Sequence, residues 1–405
     1  MLALDNVKVL DLSQIMAGPY CTMVLSDMGA EVTKIESFPN GDNSRGMSPI
    51  VNGQSYCFAM INRNKKSVAL NLKSEAGIEV FRKLAIESDI IVENFRPGVT
   101  KKLGIDYDSM KRLNPGVIYS SISGFGQTGP YKNKGGLDII AQGVSGLMSM
   151  TGEPDGRPAK VGVAINDIAA GATALYAILG AYIHKLKTGE GQYIDTSLVD
   201  AGLAWTIWES GAYFGSGEVP TQNGTRHRRS APYQAYRTKD GYITVGTFNS
   251  RLWERFCYHV VQRPDWLNND LYADKQARLT NVDILEREIE DIFMQEKTNY
   301  WIDKLDQAGV PGGPVNTYDQ ALSDPQILER EMVVEMEHPI LGKINSLGIP
   351  TKLSKTPLSI RDPAPWLGQH STERLLEIGL TDEQINRLYE DKILFNEHPS
   401  KAKTN

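Results

Sequence analysis

From Val7 to Ile122 the chain alternates strand-like and helix-like segments, and this order constrains the fold more than any other feature. A β-branched run, Val7 to Leu12, leads to Ala17-Gly18-Pro19, an amphipathic stretch ending near Met28, a glycine at Gly29 and a second strand from Glu31 to Ile35. Ser67 to Leu72, the helical stretch Glu75 to Ile86, and Asp89 to Val92 repeat the pattern, and Val117 to Ile122 follows a predicted helix over Tyr107 to Leu113. Strands separated by helices cannot close as hairpins, so they pair in parallel with helices covering both faces of the sheet. The expected fold class is α/β.

Beyond Ile122 the pattern predicts a Gly/Pro-rich loop over Gly124–Pro130, then a long helix opening near Asp167 and ending at Gly189, where Lys185 and Lys187 supply the charge that a helix C-terminus favours. A strand over Gln192–Asp195 and a further helix complete the series. After Gly217 the stretch through Arg229 is polar and basic and reads as a linker. Tyr233–Arg237 and Tyr242–Val245, joined by Lys239-Asp240-Gly241, predict a hairpin, because Asp-Gly suits the positive φ angles of tight turns. Helices follow to about Ala308, Val310–Val315 reads as a turn, and a β-rich stretch beyond Gln326 leads to a helix over Asp382–Tyr389. The polar tail from His398 to Asn405 is expected to be disordered.

Four hundred and five residues exceed what one hydrophobic core commonly serves, so more than one domain is expected. A net charge of −6 opposes extended nucleic-acid binding, which requires a basic surface. Cys21, Cys57 and Cys257 are scattered and odd in number, unlike a disulfide framework or a zinc site. They fit a reducing compartment. The N-terminal residues show no basic and then apolar leader, and the most apolar segment, Ile168–Ile183, is shorter than a bilayer-spanning helix requires. A cytoplasmic location without membrane association is therefore expected.

Several sites can be weighed from residues alone. Gly18 stands without the other glycines of a dinucleotide fingerprint, and no Walker A run is present, so Glu36 at the end of the second strand is not read as a ribose ligand. No nicotinamide or flavin is expected. The six histidines show no metal-ligand spacing, so no metal is expected either. Ser145, in Gly143-Val144-Ser145-Gly146, lacks the spacing of a nucleophile elbow. Asp167 begins a long, almost uncharged helix, where the macrodipole favours an ionised carboxylate, and an ionised carboxylate can act as a nucleophile. An Asp at a helix start more often serves stability alone. Composition does not separate these two roles.

A resemblance does. Val9-Leu10-Asp11-Leu12 with Ala17-Gly18-Pro19, Gly29-Ala30-Glu31-Val32 with Lys34-Ile35-Glu36, Gly41-Asp42, Asn64-Lys65-Lys66-Ser67, Val92-Glu93-Asn94-Phe95-Arg96-Pro97-Gly98, Ser123-Gly124-Phe125-Gly126 and Leu367-Gly368-Gln369-His370 occur in the order found in class III CoA-transferases. The chain resembles that family over nearly its whole length. The resemblance implies a Rossmann-like parallel-sheet large domain formed by residues 1–217 and the return segment 326–405, with a smaller α+β domain over 218–325. It implies an interlocked homodimer that could not readily dissociate without unfolding.

The resemblance also implies that Asp167 attacks a donor acyl-CoA as a covalent nucleophile, giving a mixed anhydride and then an aspartyl-CoA thioester. Coenzyme A is thus expected as a substrate portion, with small carboxylic acids as the other partners. Coenzyme contacts are implied at Met16, Ala17, Leu70, Asn71, Leu72, Lys73, Asn94, Phe95, Arg96, Lys102, Gly135, Gly136, Leu137 and Asp138, with Lys73, Arg96 and Lys102 as phosphate cations. Gln142, Phe248 and Asn249 are expected near the substrate. Met16 and Ser37 depart from the formyl-CoA enzymes, which carry glutamine and arginine there, and Gly246–Asn249 has one glycine where those enzymes have a glycine-rich lid.

Related racemases need a histidine before an Asp, where this chain has Leu137, which cannot move protons. Transfer is therefore favoured over racemisation or coenzyme binding without turnover. Ser230-Ala231-Pro232-Tyr233-Gln234-Ala235-Tyr236 and Glu335-Met336-Glu337-His338-Pro339 are most similar to the subgroup acting on dicarboxylic acids. The basic run Arg226, His227, Arg228 and Arg229 is expected to offer a cation to the acceptor's remote carboxylate.

Overall fold

A computed structural model describes residues 1–396; the tail from His398, expected to be disordered, lies outside the described residues. The chain divides into two units, one of residues 1–148, 160–218 and 326 onward, the other of 149–159 and 219–325. Residues 149–159, which sequence order leaves with the first domain, group with the second unit.

The first unit runs β1 (Lys8–Asp11), α1 (Ala17–Asp27), β2 (Glu31–Ser37), β3 (Ile50–Val51), β4 (Gln54–Ser55), α2 (Tyr56–Ile61), β5 (Lys65–Leu70), α3 (Glu75–Ile86) and β6 (Ile90–Glu93). It continues with α4 (Val99–Leu103), α5 (Tyr107–Leu113), β7 (Ile118–Ser123), α6 (Asp138–Val144), α7 (Ile165–Thr188), β8 (Tyr193–Ser197), α8 (Leu198–Ala204) and α9 (Ile207–Ser216). Six strands form a parallel sheet in the order β5-β2-β1-β6-β7-β8.

Successive residues of these strands serve opposite cores. Val9, Val32, Ile90, Val92, Ile118 and Ile122 pack with α1 and α7, whereas Leu10, Ile35, Val68, Ile91 and Tyr119 pack with α3 and α5. This period-2 division between two buried faces explains why the strands read as nearly continuous apolar runs. From β1 the chain goes to β2 and β5 on one side, then to β6 on the other. The β1/β6 gap is thus a switch point, and the loops beyond the carboxyl ends of strands at such a point form a crevice.

The second unit contains β9 (Tyr233–Arg237), β10 (Tyr242–Gly246), α10 (Ser250–Arg255), α11 (Lys275–Thr280), α12 (Val282–Phe293), α13 (Thr298–Ala308), β11 (Gly312–Pro314) and α14 (Tyr318–Ser323). Trp253 and Trp266 stack with centroids 5.9 Å apart within a core that includes Phe256, Phe293 and Trp301. The hairpin forms at the expected strands, but neither Asp240 nor Gly241 has positive φ. Asp240 instead accepts from Thr298 N at 2.8 Å and Thr298 Oγ1 at 2.9 Å, fastening the turn to α13. Residues 312–314, read as part of a turn, are a third strand paired with β10, since cross-strand bonding does not depend on local propensity.

After α15 (Pro325–Glu329), the first unit resumes with the antiparallel pair β12 (Val333–His338) and β13 (Gly342–Leu347), then α16 (Ser371–Glu377), α17 (Asp382–Glu390) and β14 (Leu394–Phe395). β14 pairs antiparallel with β5 and caps that edge of the sheet. Leu375 and Ile385 join the core on the α3 side. No described helix is long and apolar enough to cross a membrane.

Candidate active site

Small residues bring α7 close to α1: a Cβ on Gly171 would lie 2.5 Å from Ala17 O, so only glycine permits this approach. The approach seats Asp167, one turn earlier in α7, beside the first turn of α1. The N-terminus of α7 has no cap from its own preceding side chain. Asp138, at the start of α6, takes that role, accepting from Asn166 N at 2.9 Å and Asp167 N at 3.4 Å. Gln142 holds Asp138 in place, donating to its Oδ2 at 2.6 Å while accepting from Val161 N at 2.9 Å.

The helix N–H groups expected to stabilise the Asp167 carboxylate are therefore occupied by Asp138. The side chain of Asp167 has no hydrogen-bond partner among the described residues. Burial first, and the nearby Asp138 charge second, push its pKa up to about 7. The N–H donors that would favour the charged form of Asp167 thus serve another carboxylate.

Asp167 lines a cleft of about 530 Å³ at the β1/β6 switch point. Met16 and Ala17 line it after β1, Asn94, Phe95 and Arg96 after β6, Gly135, Gly136 and Leu137 before α6, and Asp138 at its first position. These expected residues thus meet around Asp167. Gly136 and Gly124 pack backbone against backbone, since a Cβ on Gly136 would lie 2.3 Å from Gly124 Cα, and this joins the loop after β7 to the approach to α6. Gln142 is fully buried beneath the cleft and reaches it through Asp138.

Leu70, Asn71, Leu72, Lys73 and Lys102 do not line the cleft. Leu70 ends β5, separated from β1 by β2, and is fully buried, while Asn71 N donates to Ile393 O at 2.8 Å. Lys73 and Lys102 are exposed, on the β5–α3 connection and on α4. Arg96 is the expected phosphate cation that does line the cleft, and Lys134, absent from the expected set, joins it. The Lys134 ammonium lies 3.6 Å from the Tyr131 ring centroid.

Sequence reasoning also missed Gln14, Ile15, Asn43 and Ser123. Ser123 is almost fully buried, and its hydroxyl has no partner among the described residues. Its position at the carboxyl end of β7 was the available signal, because parallel strands present their last residues to the crevice. Glu93 supports the same rim: its carboxylate accepts from Phe95 N at 2.8 Å and from the Ser121 hydroxyl, while burial pushes its pKa up to about 7.

In the second unit the basic run is divided. Arg226 pairs with Asp283 at 2.7 Å and with Glu286, and Arg228 donates to backbone carbonyls of Thr221 and Met150. His227 Nδ1 accepts from Arg229 N at 3.1 Å, and the Arg229 guanidinium has no partner among the described residues. Asn249 caps α10 by accepting from Leu252 N at 2.9 Å. Phe248, 61% exposed, lines a hollow of about 700 Å³ with Tyr233 and Val315. That hollow is larger than the Asp167 cleft, but among the described residues no carboxylate, histidine or cysteine lines it. Of these two hollows, the one lined by Asp167 is the candidate active site.

A model of CoA-transferase family III matches residues 4–371. A succinyl-CoA:glutarate CoA-transferase of Homo sapiens is 38% identical over 382 residues, covering 94% of this chain and 87% of that protein. A succinyl-CoA:mesaconate CoA-transferase of Haloarcula marismortui is 37% identical, covering 96% of this chain and 99% of its own. Among solved structures, a CaiB/BaiF family protein from Brucella suis is 35% identical with a TM-score of 0.84, covering 93% of this chain and 99% of that one.

Proposed function

The chain belongs to CoA-transferase family III, and from that premise we propose that it passes coenzyme A from a dicarboxylic acyl-CoA to a second dicarboxylic acid through covalent chemistry at Asp167. The observation carrying this reading is the half-buried Asp167 carboxylate, with no hydrogen-bond partner among the described residues, lining the cleft formed after β1 and β6. Burial leaves the carboxylate poorly solvated and basic, and a basic carboxylate is the better nucleophile. The names of the relatives support the substrate class.

In the proposed cycle an Asp167 oxygen bonds to the thioester carbonyl carbon, the carbon–sulfur bond breaks and CoA leaves as the thiolate. The thiolate then attacks the aspartyl carbonyl of the mixed anhydride, releasing the donor carboxylate and leaving an aspartyl-CoA thioester. The acceptor carboxylate attacks the same aspartyl carbonyl and displaces the thiolate. That thiolate attacks the acceptor's acyl carbon, forming the product thioester and restoring Asp167. Arg96 and Lys134 are the cleft cations suited to coenzyme phosphates. Leu137 offers no proton-transfer group for a racemase.

Incubation with succinyl-CoA, quenching, intact mass and peptide mapping should detect coenzyme A on the Asp167 peptide and nothing on Asp167→Ala. Persistence of the adduct in the variant, or its absence from the parent with every donor tried, would overturn the reading. Arg229 is the member of the basic run with a guanidinium available for the acceptor. Replacing it by Ala should raise the acceptor KM roughly tenfold or more with little change in the donor KM, and an unchanged acceptor KM would remove it from that role.

The proposal includes a homodimer, supported by apolar side chains exposed on and between α8 and α9: Trp205 is 50% exposed, Ile207 72%, Trp208 77% and Phe214 83%. The three free cysteines fit a cytoplasmic setting.

A further inference from the structure

One wall of the Asp167 cleft is the loop from β1 to α1, and its backbone is held in an unfavourable conformation. Ile15 has φ 69°, in the left-handed region where a β-branched side chain crowds its own backbone. Such conformations persist only where surrounding groups impose them.

The surrounding groups are specific. The Asn94 carboxamide accepts from Gln14 N at 2.8 Å and donates to Gln14 O at 2.8 Å. Asp42 Oδ1 accepts from Ile15 N at 3.0 Å and Ser44 N at 2.8 Å, while Asp42 Oδ2 lies 2.9 Å from Lys34 Nζ. Lys34 Nζ also donates to Ser13 O at 2.7 Å, and Asp11 accepts from Ser13 N at 2.9 Å. Lys65 Nζ completes the group, 2.9 Å from Asp11 Oδ2. The side chains of Asp11, Lys34, Asp42 and Lys65 are all fully buried.

Buried ion pairs often contribute no more stability than apolar side chains of similar volume, because removing charges from water offsets their attraction. Here, however, the network fixes a backbone: Asp11, Lys34 and Asp42 each bond a peptide group of Ser13 or Ile15. If Ile15 relaxed to an ordinary conformation, the peptide leading to Met16 would turn and carry Met16 and Ala17 with it.

We propose that Asp42, supported by Lys34, is a positioning residue that holds Ile15 left-handed and so sets the Ile15–Ala17 wall against the bound acyl-CoA. The inference rests on reading the Asp167 cleft as the acyl-CoA site. Asp42 acts through the backbone and need not touch the substrate.

Glycine provides the test because it adopts positive φ without a clamp. In the full-length protein, at a temperature where circular dichroism shows the fold intact, Asp42→Ala should lower kcat/KM for succinyl-CoA by roughly a hundredfold, the scale of a small misplacement at a reacting centre. Adding Ile15→Gly should restore about tenfold or more of that loss. A merely structural role for Asp42 would give no rescue, since Ile15→Gly leaves the buried charges unpaired. Asp42→Ala within twofold of the parent, or a double variant no better than Asp42→Ala, would overturn the proposal. Should Asp42→Ala fail to fold, Asp42→Ser with Lys34→Met removes the clamp without leaving that cation unpaired, and gain or absence of rescue by Ile15→Gly decides in the same way. Asp167→Ala in parallel separates the two readings: turnover in that variant refutes the nucleophile assignment whatever the Asp42 series shows.

Discussion

At Asp167 the useful property is basicity rather than permanent charge. Burial and the nearby Asp138 charge raise its pKa to about 7, so in the proposed mechanism the free enzyme near neutrality is divided between a reactive carboxylate and an inert acid. In that mechanism the deprotonated form attacks, so activity should fall as pH drops through that value. Initial-rate measurements from about pH 5.5 to about 8.5 should show kcat/KM for the acyl-CoA rising with an inflection at about 7. Asp138→Asn removes the like charge and should move the inflection downward, while also lowering the high-pH limit because a weaker base is a weaker nucleophile. Superimposable profiles for parent and variant would show that Asp138 serves only as the cap of α7.

Among the elements, what could be read in advance depended on how locally each is specified. The helices over Glu75–Ile86 and Tyr107–Leu113 form at the predicted bounds because their apolar spacing lies within the segments and the caps Ser74 and Asp106 immediately precede them. β11 and β14 were not read, since strands of three and two residues have no periodicity and exist through distant partners. The Leu367–His370 motif was read only as a family mark. Its physical role is to fasten the return segment to β5: Gly368 N donates to Ser67 Oγ at 2.9 Å and His370 N to Ser67 O at 2.9 Å. The same divide runs through the candidate site. Asp167 and the segments 94–96 and 135–138 were found through the resemblance, whereas Ile15 and Ser123 were missed because their placement follows from strand order and an imposed backbone angle. Leu70–Lys73, implied as coenzyme contacts, stand at the end of β5 outside the lining of the Asp167 cleft.

At the scale of the whole molecule, the exposed apolar surface remains to be accounted for. Scattered exposed apolar residues are ordinary, but Trp205, Ile207, Trp208, Tyr213 and Phe214 come from one short stretch, and aromatic side chains are enriched in protein interfaces. A net charge of −6 over 405 residues does little to keep such a surface from associating. The proposed homodimer would cover it with a second copy of the chain. Sedimentation should therefore give twice the 44.9 kDa chain mass, and an interlocked pair should keep that mass on dilution to nanomolar concentrations. Trp208→Glu with Phe214→Glu places two charges on the face to be buried, where desolvation opposes them, and should yield monomer or a markedly lower melting temperature. A parent that sediments as monomer would leave these aromatics without the proposed partner, while a double variant that remains a dimer with unchanged melting would place the dimer contact elsewhere on the chain.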